Sequence, residues 1–172
     1  MKPDRVKTAA VLTISDSSFQ GKRDDKSGPV VVRKLKAAKF RVVHTAVFPD
    51  EQQQIEAAIV QACGAARLVV TVGGTGVAPR DVTPEATMAV VERLIVGIPE
   101  KMRWDGSKKT AFAGLSRGVC GTRGTSLILN LPGSPVAATE SLKAVIKMLP
   151  HALDLLEGYT AHKDDEKLKR PR

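Results

Sequence analysis

Between Leu68 and Thr87 the chain reads LVVTVGGTGVAPRDVTPEAT, an apolar run that gives way to glycines, an Arg-Asp pair and a helix start. Gly73, Gly74 and Gly76 leave Thr75 alone in a turn whose backbone can take positive φ and let a ligand approach its amides. Thr83 as N-cap, Pro84 at the first helical position and Glu85 beside the positive end of the dipole predict a helix directly after it. Strand, glycine turn and helix start together make an anion site. No Gly-Lys-Ser/Thr follows, so this is not a Walker A loop, and Pro79 stands where a dinucleotide fingerprint needs its third glycine. Arg80 and Asp81 add a cation and a carboxylate beside the anion-binding backbone, as metal-assisted phosphoryl or nucleotidyl transfer requires; a local ion pair is the plainer alternative.

A second stretch, TSLILNLPGSPVAATESL from Thr125 to Leu142, repeats this order. A buried strand ends at Asn130, Pro132 and Gly133 turn the chain, Ser134 caps, and Pro135 begins a helix through Val136 to Met148. Two glycine turns feeding capped helices suggest two anionic groups held at once. His44, His151 and His162 all lie outside these loops, and no Ser-His or Cys-His pairing is in view, so acyl transfer has little support. Phosphate attacking phosphate needs no histidine base, because its nucleophile is already ionised.

Positioning these loops falls to an alternation of strands and helices. Residues 8 to 14 predict a first buried strand, with Ser15, Asp16 and Ser17 at its C-terminal end and a polar loop after them. A helix starting near Ser27 to Pro29 presents Val31, Val32, Leu35 and Ala38, and Val42 to Phe48 predicts the second strand. Asp50 stands as N-cap of the next helix, with Gln53 placed for a capping-box return; Ile55, Ala58, Ile59 and Ala62 form its stripe and Gly64 its end. The helix from Pro84 is expected to bury Met88, Val91 and Leu94 or Ile95, and a further helix to run from Glu100 to about Asp105. Trp104 reads as core or subunit contact. Residues 110 to 128 read as short extended pieces carrying Ser116, Arg117 and Arg123; Pro150 breaks the long helix, and His151 to Leu156 closes the domain at Gly158. Right-handed crossovers then give an α/β domain around a mostly parallel sheet, with ligands outside the carboxyl ends of its strands. Four loops meet at that edge: Ser15 to Ser17, Pro49 to Glu51, Gly73 to Asp81 and Asn130 to Ser134.

The 172 residues, 42% apolar and 26% charged, suit one domain, expected over 1–158, with a charged, disordered tail over 159–172. The apolar run from Ala9 to Ile14 is too short for a signal peptide or a membrane span, so a cytoplasmic protein is expected. Cys63 and Cys120 lie outside any zinc spacing and read as buried, reduced thiols. A net charge of +9 would attract polyanions, yet aromatics are 3%, which leaves few platforms for stacking bases and argues against a nucleic-acid partner.

GGTGVAPRDVTPEAT resembles the MogA/MoaB family of molybdenum-cofactor biosynthesis, which includes the G domain of gephyrin. LTISDSSFQGKRDDKSGP, VFPDE, LSRGVCGTRGTSLILNLPGSP and LPHALDLLEG resemble it too, in order, from about Val11 to Gly158. The resemblance implies a three-layer α/β/α domain, a homotrimer, and MgATP-dependent adenylylation of the terminal phosphate of molybdopterin with release of pyrophosphate; a molybdate-insertion enzyme would receive the product. It also implies residue roles. Gly73, Gly74, Thr75 and Gly76 match the binding loop with Arg80 beside them, while Asp81 and Asp50 match acidic residues that assist catalysis through Mg²⁺. Ser15, Asp16, Ser17, Ser116, Arg117, Arg123, Asn130, Pro132, Gly133 and Ser134 match further substrate-binding positions. Asp50 stays open between helix cap and catalyst, whereas Asp81 has no comparable local duty in the sequence. A binding or scaffolding paralogue without turnover is the alternative.

Overall fold

The structure, a computed structural model, describes residues 7–159. The expected disorder of the tail lies, from residue 160 on, outside the described residues, as does His162.

Thr8–Ile14 forms β1, whose successive side chains alternate between two buried faces. A short helix α1 (Asp16–Phe19) follows where the sequence predicts only a loop, started by Ser15, whose Oγ accepts from Ser18 N–H at 3.3 Å. Helix α2 (Ser27–Ala37) crosses to β2 (Arg41–Phe48), and α3 (Gln52–Ala65) crosses back to β3 (Leu68–Val72), every residue of which is buried. Then come α4 (Thr83–Val90), β4 (Arg93–Leu94), α5 (Gly97–Ser107), a 3₁₀ turn at Ala111–Leu115, β5 (Cys120–Arg123), β6 (Ser126–Leu131), α6 (Pro135–Val145) and α7 (Leu149–Leu156).

The sheet order is β2-β1-β3-β6-β5-β4, with β2, β1, β3 and β6 parallel, β5 antiparallel to β6, and β4 antiparallel to β5. The chain builds outward from β1 to β2, then returns to place β3 on the other side, so strand order reverses between β1 and β3. On one sheet face Val11, Leu129 and Leu131 meet Val31, Leu35, Leu142 and Leu153; on the other Leu12, Val69 and Ile128 meet Ile55, Ile59 and Ala86. This is the three-layer α/β/α domain expected.

Several local expectations are corrected. Glu51, not Asp50, occupies the N-cap of α3, with no side-chain cap bond, and the helix runs past Gly64 to Ala65. Likewise Val82, not Thr83, precedes α4. The buried face of α4 is Thr83, Pro84, Ala86, Thr87 and Val90, small side chains that pack toward α3, so Met88 is turned outward; Leu94 lies exposed on β4. Helix α5 begins three residues earlier than Glu100, and its Trp104 is 67% exposed, so it is not core in this chain. The 110 to 128 stretch resolves into the 3₁₀ turn and a hairpin, because Arg123 and Ser126 pair across Gly124, whose φ is +52°. Helix α6 stops at Val145, and Pro150 sits in the first turn of α7, where a missing N–H costs nothing, rather than breaking a helix. Both cysteines are unpaired; Cys63 is only half-buried, while burial pushes the Cys120 thiol up to about 12.

Candidate functional site

The ends of β1, β3 and β6 meet backbone against backbone. Gly73 N–H donates to Leu131 O at 3.0 Å, and at φ +113° a Cβ on it would run into the carbonyl oxygen of Ile14. A Cβ on Gly133 would stand 3.3 Å from Gly73 Cα. Glycine is therefore required at the crossing, and strand order reverses at this same point. In front of it opens a cleft of about 430 Å³.

Seven residues singled out in the sequence line this cleft: Ser15, Asp50, Gly73, Gly74, Asp81, Gly133 and Ser134. Asp50, freed from capping, faces β1 instead. Its Oδ2 accepts from Asp16 N–H at 2.8 Å, and its own N–H donates to Asp16 Oδ1 at 3.0 Å, a reciprocal clasp between the first two strand ends. Burial raises the Asp50 carboxyl above the ordinary carboxylate range, and the charges of Asp16 and Asp81 push the same way, against the Asp16 N–H and Arg80. Asp81 does have a local duty: its Oδ2 accepts from Ala78 N–H at 2.9 Å, closing the loop between Gly76 and the helix. Each acid thus has a structural partner, Asp50 at the end of β1 rather than in a helix cap and Asp81 within its own loop.

Other residues on the sequence's list support this site from behind. Arg80 forks onto Asp16, with Nε and Nη2 each donating at 3.0 Å, and reaches Glu51 at 2.9 Å through Nη1. These partners raise the pKa of its guanidinium. Asp16 is consequently occupied by the Asp50 N–H and Arg80, while Ser17 contacts Ser15, Oγ to Oγ, at 3.2 Å. Arg117 clamps the glycine loop from outside: its N–H donates to Thr75 O at 2.8 Å, and its side chain to Gly76 O and Asp81 O at 2.6 Å each. It also pairs with Glu85, which holds that carboxyl below its usual range. Thr75 is buried, and Gly76 is held open by Asp81, whose Oδ2 stands 2.8 Å from where a Cβ would be.

Four positions serve elsewhere. Asn130 is fully buried and satisfied, donating to Thr71 and Thr87 and accepting from Val119 N–H. Ser116 and Pro132 line a separate groove beside α5 and α6. Arg123 pairs with Ser126 at the start of β6, the far end of the sheet, and donates to Val90 O at 2.8 Å.

Sequence reasoning passed over the opposite wall, where Arg23, Asp24, Asp25, Lys26 and Ser27 complete the cleft. Asp25 organises it. Its Oδ1 accepts from Ser27 and Gly28 N–H at 3.0 and 2.9 Å, and its Oδ2 from Thr13 Oγ1 at 2.6 Å. Ser27 Oγ donates to Gly133 O at 2.5 Å, tying this wall to the second glycine turn. The readable signal was an Asp two residues before Ser-Gly-Pro, an Asx-type helix start inside what looked like an unstructured polar loop.

Among the described residues no group of three or more His, Cys, Asp and Glu side chains could hold a metal. Asp50 and Asp81 are two carboxylates on one wall, close enough for the charge of one to shift the other. That donor set suits Mg²⁺, which takes one or two carboxylates and fills its shell with water and substrate phosphates.

A family model described as "Probable molybdopterin binding domain" matches residues 10–151. A protein named molybdopterin adenylyltransferase from Helicobacter pylori is 39% identical over 152 residues, covering 86% of each chain, and the protein of that name from Escherichia coli K12 is 37% identical over 164 residues. The Drosophila melanogaster molybdenum cofactor synthesis protein cinnamon is 40% identical over 153 residues, though the chain spans only 25% of its length. Among solved structures, MoaB from Thermus thermophilus superposes with a TM-score of 0.84 at 44% identity, covering 89% of this chain and 98% of that one. Glycine crossing, paired acids and matched sequence coincide over most of the chain, and it belongs to the MogA/MoaB family of molybdenum-cofactor biosynthesis proteins.

Proposed function

We propose that this protein is a molybdopterin adenylyltransferase, joining AMP from MgATP to the terminal phosphate of molybdopterin. The observation that carries this reading is the meeting of both carboxylates and both glycine turns in one cleft, with Arg23 and Lys26 on the facing wall. Such a site can hold two phosphorylated ligands against their mutual repulsion. An oxygen of the molybdopterin phosphate attacks the α-phosphorus of ATP; a new P–O bond forms, the bond to the β-phosphate breaks, and pyrophosphate leaves with the electron pair. No protein base is needed, because the attacking oxygen is already ionised.

Asp50 and Asp81 would hold Mg²⁺, which supplies charge neutralisation across the nucleotide phosphates. The amides of Gly74 to Gly76 and the N-terminus of α6 behind Gly133 and Ser134 receive the anionic groups. Arg80 and Arg117 act by fixing Asp16, Asp50 and the glycine loop. The names of the similar proteins support the substrate pair.

The remaining expectations are part of the same proposal. Leu94, Val96, Trp104, Phe112 and Leu115 are more than half exposed on neighbouring segments, which a homotrimer contact would cover. No helix among the described residues is long and apolar enough to cross a membrane, in keeping with a cytoplasmic setting where a molybdate-insertion enzyme consumes the product.

The test is incubation of purified protein with molybdopterin, Mg²⁺ and radiolabelled ATP, following pyrophosphate and adenylylated pterin. Labelled product is expected. Tight pterin binding without product would move the chain to a binding or scaffolding role.

A further inference from the structure

Thr83 opens α4 with its side chain fully buried, and its Oγ1 has no hydrogen-bond partner among the described residues. An unpaired buried hydroxyl is unfavourable, and Val has the same shape without that cost. Nothing in the fold alone therefore calls for threonine here.

The surroundings of the hydroxyl do. Thr83 N–H donates to Gly74 O at 3.0 Å, which presses the residue onto the glycine loop. Its Oγ1 is the nearest atom to the point a Cβ on Gly74 would take, and Asp50 Oδ1 stands 2.9 Å from that same point. Asp50 spends Oδ2 on the Asp16 N–H, while no hydrogen bond to its Oδ1 is found among the described residues. An uncommitted donor and an uncommitted carboxylate oxygen thus flank one glycine in the cleft wall.

Asp50 is only half-buried, so water can serve Oδ1 while the cleft is open. A ligand that fills the cleft expels that water, and with Mg²⁺ held by one lone pair of the carboxylate a second lone pair of Oδ1 is left needing a donor. We infer that Thr83 is a positioning residue for Asp50: on ligand binding its hydroxyl donates to Oδ1 and fixes the carboxylate in one orientation. Being fully buried, Thr83 touches no ligand itself. The α4 N-terminus therefore contributes a reserved donor, in addition to its dipole.

This rests on the adenylyl-transfer reading of the cleft, and the experiment separates the two. Thr83→Val and Thr83→Ser are compared with the unaltered protein by urea unfolding without ligand, by calorimetric titration with MgATP, and by pyrophosphate release. Thr83→Val is expected to unfold at the same or a higher urea midpoint, yet to bind MgATP about tenfold more weakly, with kcat/KM for ATP falling by about the same factor. Thr83→Ser, which keeps the hydroxyl, restores most of both. A Thr83→Val protein with undiminished kcat/KM, or one whose kcat/KM and urea midpoint fall together, overturns the inference. If the unaltered protein binds MgATP without forming product, adenylyl transfer fails as a reading; Thr83 then stands if Val weakens nucleotide binding and Ser does not, and falls if both bind alike. Absence of MgATP binding by the unaltered protein overturns both.

Discussion

The turn after β3 and the turn after β6 are written in the same sequence grammar and built differently. After β6 the helix begins at once: Ser134 at φ −69° accepts from Ala137 N–H, Pro135 occupies the first turn, and the segment satisfies its own needs. After β3 the chain wanders from Gly73 to Val82 before α4 starts, with no side-chain cap and with Thr83 Oγ1 unpaired among the described residues. The longer loop is closed by Asp81 within it and by Arg117, which comes from the segment before β5. The difference separates a turn that is a finished piece of structure from one whose donors and carboxylates are left for a ligand.

The largest way to break this comparison is to remove the geometry the two turns share. Gly73→Ala puts a methyl into the Ile14 carbonyl at φ +113° and should cost roughly 3 kcal/mol or more, read as a lowered urea midpoint, with turnover lost. Next comes the chemistry of the longer loop alone. Asp81→Ala should keep the fold, losing about 1 kcal/mol with its bond to Ala78, while kcat for pyrophosphate release falls by roughly a hundredfold. An undiminished rate would return Asp81 to the loop-closing role that the structure gives it.

Asp50 sharpens the contrast through pH. Its carboxyl, raised chiefly by burial, binds its proton more tightly folded than unfolded. Its contribution to stability therefore falls as pH rises from the unfolded value, near 4, through the higher folded one. Asp50→Asn removes that penalty while keeping an acceptor for the Asp16 N–H. At neutral pH the variant should equal or exceed the unaltered protein in urea midpoint, the gap closing in acid below about pH 4, while adenylyl transfer is lost. A variant less stable at neutral pH and equal in acid would reverse the assignment.

Legibility followed the range of the interactions. Strands β1, β3 and β6 were readable because burial on both faces writes a mostly apolar run, interrupted inside only by Thr13, Thr71 and Asn130, and both glycine turns because Gly and Pro punctuate the chain locally. Caps were misread where a local rule met a distant partner: Asp50 fits the N-cap pattern before α3, but Asp16, 34 residues away, claims its carboxylate. The Arg23 to Ser27 wall was only half legible: Asp25 before Ser-Gly-Pro marks a helix start, but nothing in a polar loop says that Ser27 will reach Gly133, over a hundred residues later. The family resemblance pointed to Arg123 as a substrate contact, and the β5–β6 hairpin places it at the opposite end of the strands from the cleft. Within one sheet, residue types told which loops matter, and topology told which of their side chains could meet.

The smallest expected effect tests the other half of the comparison. Ser134 accepts from Ala137 N–H at 3.4 Å, a long bond, while Pro135 already fixes the first turn of α6. Ser134→Ala should therefore cost only about 0.5–1 kcal/mol by urea unfolding. Ser134 also lines the cleft, so its hydroxyl is available to an anion there. If the turn after β6 is a finished structural piece that receives a phosphate through backbone amides, the rate should fall less than threefold or so, with KM rising by a similar factor. A kcat loss as deep as that of Asp81→Ala would place reacting atoms at this turn as well. The two helix starts would then share the chemistry, and the unpaired hydroxyl of Thr83 would no longer distinguish them.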